Sequence, residues 1–366
     1  MKILIWSSAP WVKSGYGKNC NYLVRALTPH HDVSVLATYG LNGGTVNTNG
    51  VTVYPSNNDF YTMGETLKFW AQKTKPDVII QHFDIWVIRY GFIKENEYPC
   101  PIYTYTPVDS LELPLQLKWA AKGSKDNIAM TRFAQDKFHY AGMRSFKYIP
   151  HTVDLDIYYP EDKAKVRDIL GLPQDAFIIG NVGTNKGPRK NLLGQLRAFK
   201  KFLQTSRTAR NKSYFYLHSN LSSDRQNPEG FDIWSGIKEM GLEDNVFVTD
   251  PMTYSIGIDE GQMRLLFSAF DCLSQCSYGE GFGIPIIEAH GCGVPTITTD
   301  FSAMPEVAGR GGLTVPTTGN ITWQKLASTQ RIPCEDSIAE AYEEMFENSH
   351  LYQELALETA RRYTFA

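Results

Sequence analysis

No apolar run in the 366 residues approaches the ~20 needed to cross a bilayer as a helix. The opening MKILIWSSAP carries one lysine and a short apolar stretch before a turn, too little for the apolar region of a secretory leader. The six cysteines, at 20, 100, 272, 276, 292 and 334, form no C-x-x-C pair and no Cys/His cluster with zinc spacing. Cys272 and Cys292 sit in apolar runs and read as small buried hydrophobes of a reducing compartment. The expected location is therefore cytoplasmic, or peripheral at a membrane. Strong charge of one sign is also missing: the formal net charge is −3, so the whole molecule does not advertise nucleic acid as a partner. Gly15-Tyr16-Gly17 lacks the third glycine of a dinucleotide fingerprint, and no Gly-Lys-Ser/Thr of a P-loop follows it.

What is present suits two domains, since the chain is too long for one ordinary core. Residues 1–150 carry 16 Lys and Arg against 11 Asp and Glu, a balance of +5, and five of the seven tryptophans. That half either faces an anionic or sugar-like acceptor or is a solvated surface over core aromatics. Short apolar runs alternate with helical patterns. Residues 2–6, 32–38, 77–82, 101–107 and 127–131 read as strands, and 61–75 and 133–141 as helices. YIPHTVDLDIYYPED (148–162) has prolines, acids and no helical period, which marks a linker. A second series follows, with strands at 176–183, 214–220, 245–250, 271–276 and 295–300. Its helices fall at 191–205, 232–241, 260–269 and 335–362. The fold class is α/β, two doubly wound, mostly parallel sheets in tandem, which bind ligands at the carboxyl ends of their strands.

The stretch YGEGFGIPIIEAHGCGVPTIT (278–298) carries the most chemistry. A strand ends, Gly279, Gly281 and Gly283 give an open turn, and Pro285 suits the first turn of a helix. Backbone N–H groups at such a helix start favour a phosphate or diphosphate. Glu280 is expected on the lip of the loop. Glu288, further along the helix, is a carboxylate able to accept both hydroxyls of a ribose. Two glutamates alone could equally be solvated side chains; the whole string Gly-Glu-Gly-Phe-Gly-x-Pro-x-x-Glu is far more specific.

That string resembles the donor-site signature of retaining glycosyltransferases of the GT-B fold, in particular the large family 4 (glycosyl transferases group 1). YIPHTVDLDIYYP is similar to that family's interdomain segment, and GNVGTNKGPRKNLLGQLRAF to the first strand-loop-helix of its donor domain. TTDFSAMPEVAGRGGLTVP is similar to the stretch after the two-glutamate motif, and SGYGKNCNYLVRAL to its N-terminal turn and helix. The resemblance implies two Rossmann-like domains facing across a cleft: 1–152 on the acceptor side, 153–350 for the donor, and 351–366 as a helix returning to the N-terminal domain. It implies transfer of a sugar from a nucleoside diphosphate sugar, the co-substrate, to an acceptor hydroxyl with retention.

Carried over residue by residue, Glu280 contacts the transferred sugar and Glu288 the ribose. Backbone around Gly281, Phe282, Gly283 and Ile284 meets the diphosphate or sugar. Lys190 neutralises the diphosphate. An arginine is usual where Thr184 stands; Lys186 or Arg189 replaces its charge, or Thr184 only hydrogen-bonds the donor and the two cations are surface charges. Gly15 and Gly17 let the backbone approach the donor phosphate. His82 falls near the reacting sugar, or is a packed residue. Asp84 and Asp109 orient an acceptor hydroxyl or serve as turn residues. Tyr254, with Ser255 and Ile256, touches the base. Asp154-Leu155-Asp156 falls in the interdomain segment and is read as structural, so no metal and no resident cofactor are expected. Partners are the nucleotide sugar and a saccharide, lipid-linked or other hydroxyl acceptor, with a nucleic-acid acceptor as a minority alternative. The rivals are an epimerase of the same fold and a non-catalytic sugar-nucleotide-binding module.

Overall fold

The computed structural model describes residues 1–364 apart from 57–62, 85–97, 116–117, 119–122, 144, 146, 206, 223–228 and 324–327. The chain divides into two compact units. Unit 1 is Met1–His151 with Thr322–Thr329, and unit 2 is Thr152–Ile321 with Gln330–Ala366.

Unit 1 holds an eight-stranded sheet. Its strands are β1 (Lys2–Ser7), β2 (Asp32–Ala37), β3 (Val46–Thr48), β4 (Val51–Pro55), β5 (Val78–His82), β6 (Ile102–Thr106), β7 (Asp126–Ala129) and β8 (Lys147–Tyr148). The order is β3-β4-β2-β1-β5-β6-β7-β8, parallel except for the antiparallel pair β3–β4. Parallel strands are buried on both faces, which is why KILIW and VSVLA read as unbroken apolar runs. Leu4, Trp6, Leu36 and Ile79 pack on one face and Ile3, Ile5, Val33 and Val35 on the other.

Unit 2 holds β9 (Phe177–Val182), β10 (Ser213–His218), β11 (Val246–Val248), β12 (Cys272–Gln275), β13 (Thr296–Thr299) and β14 (Gly312–Val315). They are all parallel, in the order β11-β10-β9-β12-β13-β14. The order reverses between β9 and β12, the doubly wound pattern whose switch point opens a crevice at the strands' carboxyl ends. A hairpin, β15 (Thr317–Trp323) and β16 (Ser328–Pro333), completes the strands described.

The domain boundary falls one residue before the expected one. Residues 351–364 fall in unit 2. The reason is a close backbone approach: a Cβ on Gly311 would lie 2.5 Å from Ala356 Cα, so the helix Glu335–Ala360 seats directly on that glycine. Ala356, Thr359 and Ala360 are buried there, and Val153 N donates to Tyr363 O at 2.8 Å. Among the described residues no helix is long and apolar enough to cross a membrane.

Gly180, in the middle of β9, is set by packing. A Cβ there would fall 2.1 Å from the ring of Phe270, which is fully buried. Gly180→Ala is expected to cost about 2–3 kcal/mol through overpacking. Urea unfolding checks this as a lower midpoint with an unchanged slope.

Candidate functional site

The switch point of unit 2 is built by two loops. Residues 183–191 follow β9 and residues 276–283 follow β12. The first loop ends in a 3-10 turn, Pro188–Lys190, entered at Gly187 (φ 68°) and left at Asn191 (φ 51°). Tyr278 N donates to Arg189 O at 2.8 Å, and Asn191 Nδ2 donates to Cys276 O at 3.1 Å, so each loop holds the other. Those bonds aim two consecutive cations at one carboxylate. Lys190 Nζ lies 2.6 Å from Glu280 Oε1, and Arg189 NH1 lies 2.8 Å from Oε2 and 2.9 Å from Gly279 O. Ser277 Oγ donates to Oε1 at 2.6 Å, and the Glu280 N–H donates to Ser302 Oγ at 3.0 Å.

Glu280 is 5% exposed, so it does not stand on the loop lip as expected; the two cations draw it inward. Burial alone would raise its pKa. Arg189 and Lys190 beside it, with bonds from Lys190 and Ser277, outweigh that and hold it well below the carboxylate range. Asn191 and Ser302 (φ 58°) are two of only four non-glycine residues with positive φ among the described residues, and both touch this cluster. Strained backbone gathered at one point is a feature of functional sites.

Immediately after Glu280, Gly283 caps the helix Ile284–Gly291 at φ 93°, with Pro285 in its first turn and no side-chain cap. Gly281, Phe282 and Gly283 are buried, Phe282 against the Tyr363 ring at 5.7 Å. Glu288 is 4% exposed within that helix. Thr184 and Lys186 are exposed on the loop after β9. Tyr254 lies in the helix Pro251–Ile256, with its ring 5.2 Å from that of His218 at the carboxyl end of β10; Ser255 and Ile256 are exposed. Asp154 turns the connector, its Oδ1 accepting from Asp156 N at 3.1 Å.

Unit 1 has its own switch point, between β1 and β5. His82 ends β5, and Ser7 ends β1. His82 Nδ1 lies 2.9 Å from Ser7 Oγ, and Nε2 lies 3.0 Å from Asn19 Nδ2. The same amide lies 2.6 Å from His151 Nδ1, while Tyr105 OH lies 3.1 Å from that nitrogen. An amide NH₂ has two hydrogens, and two neutral imidazoles take one each. Burial keeps both rings neutral: it pushes His82 well below its ordinary value, aided by His151, and His151 down to about 3. His82 was expected near the reacting sugar. It is fully buried, with its two ring nitrogens against Ser7 and Asn19.

Gly15 and Gly17 form no open loop. They lie in the first turn of the helix Gly15–Leu27, capped by Ser14, and Gly17 is small because a Cβ would meet Val12 O at 2.1 Å. Asp84 and Asp109 follow the adjacent strands β5 and β6, whose ends Thr106 joins by donating to Phe83 O at 2.6 Å. Both are half-buried.

The structure thus gathers Arg189, Lys190 and Glu280 and sets the Gly283 helix start next along the chain. Sequence reasoning missed Ser277, Ser302, Asn19 and His151 as partners. The glycosyl transferases group 1 family model matches residues 176–327, the segment that carries this cluster. Over that region the chain is similar to glycosyl transferases group 1. D-inositol 3-phosphate glycosyltransferase of Mycobacterium leprae is 29% identical over 162 residues, 44% of this chain and 34% of that protein. The match therefore spans about a third of the relative's length. Sucrose-phosphate synthase from Thermosynechococcus elongatus superposes with a TM-score of 0.77 at 16% identity, over 99% of this chain and 94% of that one. Anabaena HepE in complex with UDP-glucose gives 0.71 at 18% identity, over 100% and 96%. These likenesses carry the fold, which is of the GT-B type with two Rossmann-like units.

Proposed function

We propose that this protein is a glycosyltransferase that moves a sugar from a nucleoside diphosphate sugar to an acceptor hydroxyl with retention. The observation that carries the reading is the convergence of Arg189 and Lys190 on Glu280 at the β9/β12 switch point, beside the Gly283 helix start. Two cations and a helix N-terminus suit a diphosphate that gains charge as it leaves. The family-model match over residues 176–327, the name of the mycobacterial relative and the UDP-glucose bound to HepE support the same class.

In this reading the diphosphate lies against Lys190, Arg189 and the backbone of Gly281–Ile284. Glu288 takes the ribose hydroxyls, Tyr254 the base, and Glu280 a hydroxyl of the transferred sugar. The bond from the anomeric carbon to the diphosphate oxygen breaks, and the acceptor oxygen bonds to that carbon from the same face. The acceptor proton passes to the departing diphosphate oxygen. Positive charge at the leaving group comes from side chains and helix start, so no resident metal or cofactor takes part. Asp84 and Asp109 hold acceptor hydroxyls.

The test is thermal unfolding of the full chain with UDP, GDP, ADP and their sugars. A bound diphosphate at a hundred times its dissociation constant is expected to add about 2.7 kcal/mol. Lys190→Ala and Glu288→Ala are expected to lose that gain. No stabilisation by any of them would overturn the reading. Stabilisation by a nucleotide sugar that is never consumed with a panel of hydroxyl acceptors would favour a binding module.

A further inference from the structure

We propose that unit 1 carries a sugar-binding pocket of its own, at the amino ends of β1, β2 and β4, which takes one neutral pyranose unit. Its volume is about 340 Å³, within the range of small-molecule sites. It lies at the opposite ends of the strands from Ser7 and His82. Every residue that lines it belongs to unit 1, so it stands apart from the donor site of unit 2.

One face of the sheet builds it. The parallel registers pair Lys2 with Asp32 and Ser34 with Thr52, and residues two apart share a face, so these four stand on the face of Leu4 and Leu36. Toward the carboxyl ends that face is apolar and covered by the helix Met63–Thr74, through Leu67 and Ala71. The helix stops at Thr74, and the polar row at the amino ends stays open to solvent. Trp70 and Lys73, one helical turn apart, close the pocket from the helix side.

The wall is aromatic and fixed. The rings of Tyr54 and Trp70 stack at 4.3 Å between centroids, Trp70 Nε1 donates to Pro55 O at 3.0 Å, and Phe69 meets Trp70 edge-on at 5.2 Å. Rings already held in place give the C–H face of a sugar a surface at little entropic cost. The Tyr54 hydroxyl is without a hydrogen-bond partner among the described residues. Burial, and then the Asp32 charge, raises its pKa, so it remains a donor. Lys2 and Lys73 face the carboxylate of Asp32, and Asp77 accepts from Lys2 N at 2.7 Å, so charge of neither sign dominates. An anion gains little there, and a wall this polar is a poor seat for an apolar ligand. A polyhydroxyl ring, apolar on its faces and hydrogen-bonding at its rim, matches both parts.

The test is saturation-transfer NMR on the full chain with methyl glucoside, methyl galactoside, methyl mannoside, maltose and lactose. At least one is expected to receive transfer. A disaccharide that binds more tightly than the methyl glycosides marks a glycan chain as the source, and equal affinity marks a free sugar. Trp70→Ala is expected to abolish the signal. Asp32→Ala, at an exposed position that leaves the fold intact, is expected to weaken binding about tenfold through lost hydrogen bonds to a charged group. Added UDP and the Asp84→Ala change are expected to leave it unaltered. No transfer to any of these sugars would overturn the proposal. So would equal binding by wild type and Asp32→Ala, loss of the signal with UDP or in Asp84→Ala, or displacement of the sugar by inorganic phosphate.

Discussion

Glu280→Gln is expected to bind a nucleoside diphosphate about tenfold more tightly than the wild type while losing sugar transfer by a factor of about a hundred to a thousand. The two effects run in opposite directions because Glu280 does two things. In the structure it neutralises one of the two cations, holding Arg189 and Lys190 at 2.8 and 2.6 Å. Removing its charge at nearly constant shape raises the net charge of the cluster by one. An anion then meets a stronger field, and the gain shrinks as added salt screens the partly exposed Arg189. The cost appears in the unliganded fold. Two neighbouring cations that lose their carboxylate are expected to destabilise unit 2 by about 3 kcal/mol. The stabilisation on adding UDP or GDP is therefore larger in the variant than in the wild type. Transfer falls because the neutral amide no longer offers the sugar a charged acceptor. Calorimetry on the diphosphate and a turnover assay on the donor sugar read the two effects separately. Equal losses in binding and turnover would sink the idea and make Glu280 a scaffold for the loop.

Most of the sheet was legible in the sequence. Strands buried on both faces are continuous apolar runs, and FIIGNV, SYFYLH and VIIQH announce themselves. Of the elements that were not read, three stand out, and two of these carry plain local signals. The hairpin β3–β4 turns on Asn49-Gly50, both at positive φ, the strongest short-range hairpin pair. The helix Lys163–Leu170 begins at the cap Asp162 and ends at Gly171 in the left-handed region, as capping rules predict. The third, the hairpin β15–β16, is half-exposed along much of its length and has no strong apolar run to betray it.

The site divides in the same way. Glu280, Glu288 and Lys190 stand in strings whose residue types and spacing are informative. The bond from Arg189 to Glu280 spans 91 positions, and that from Asn19 to His151 spans 132. No local pattern encodes such a pair; it exists only once one unit has folded and brought distant segments side by side. His82 shows the converse. Its place at a strand end left open a site near the reacting sugar or a packed residue, and the fold shows it fully buried among Tyr16, Tyr105 and His151.

The protein is also expected to lose stability steeply between pH 6.5 and 5, before its carboxylates begin to protonate. Among the described residues His82, His151 and His290 are buried and His218 is half-buried, two of the four in each unit, and burial favours the neutral form of each. Burial takes His82 well below its ordinary value, with His151 adding to the effect, and takes His151 to about 3. In unit 2 burial takes His218 to about 4; His290 falls to about 3 although a bond from the Gly311 backbone opposes the shift. Each has a lower pKa folded than unfolded, so the unfolded chain binds more protons below pH 6.5. The stability these rings contribute is complete above that value and is lost as pH falls toward 4 and 3. Each adds about 1.4 kcal/mol per pH unit in that window, so each unit gives up roughly 4 kcal/mol by pH 5. That is a large share of an ordinary domain's stability. Glu280 acts in the same direction but later, because a carboxylate held low in the fold costs stability only once pH drops below its unfolded value of 4.5. Urea unfolding from pH 7.5 to 5, followed by tryptophan fluorescence, reports chiefly on the N-terminal half, which holds five of the seven tryptophans. His151→Gln keeps a polar group beside Asn19 without a titrating ring and should remove one proton from the slope. A stability that stays flat from pH 7 to 5 would mean that the buried imidazoles accept protons inside the fold, and the neutral Asn19 bridge would have to be redrawn.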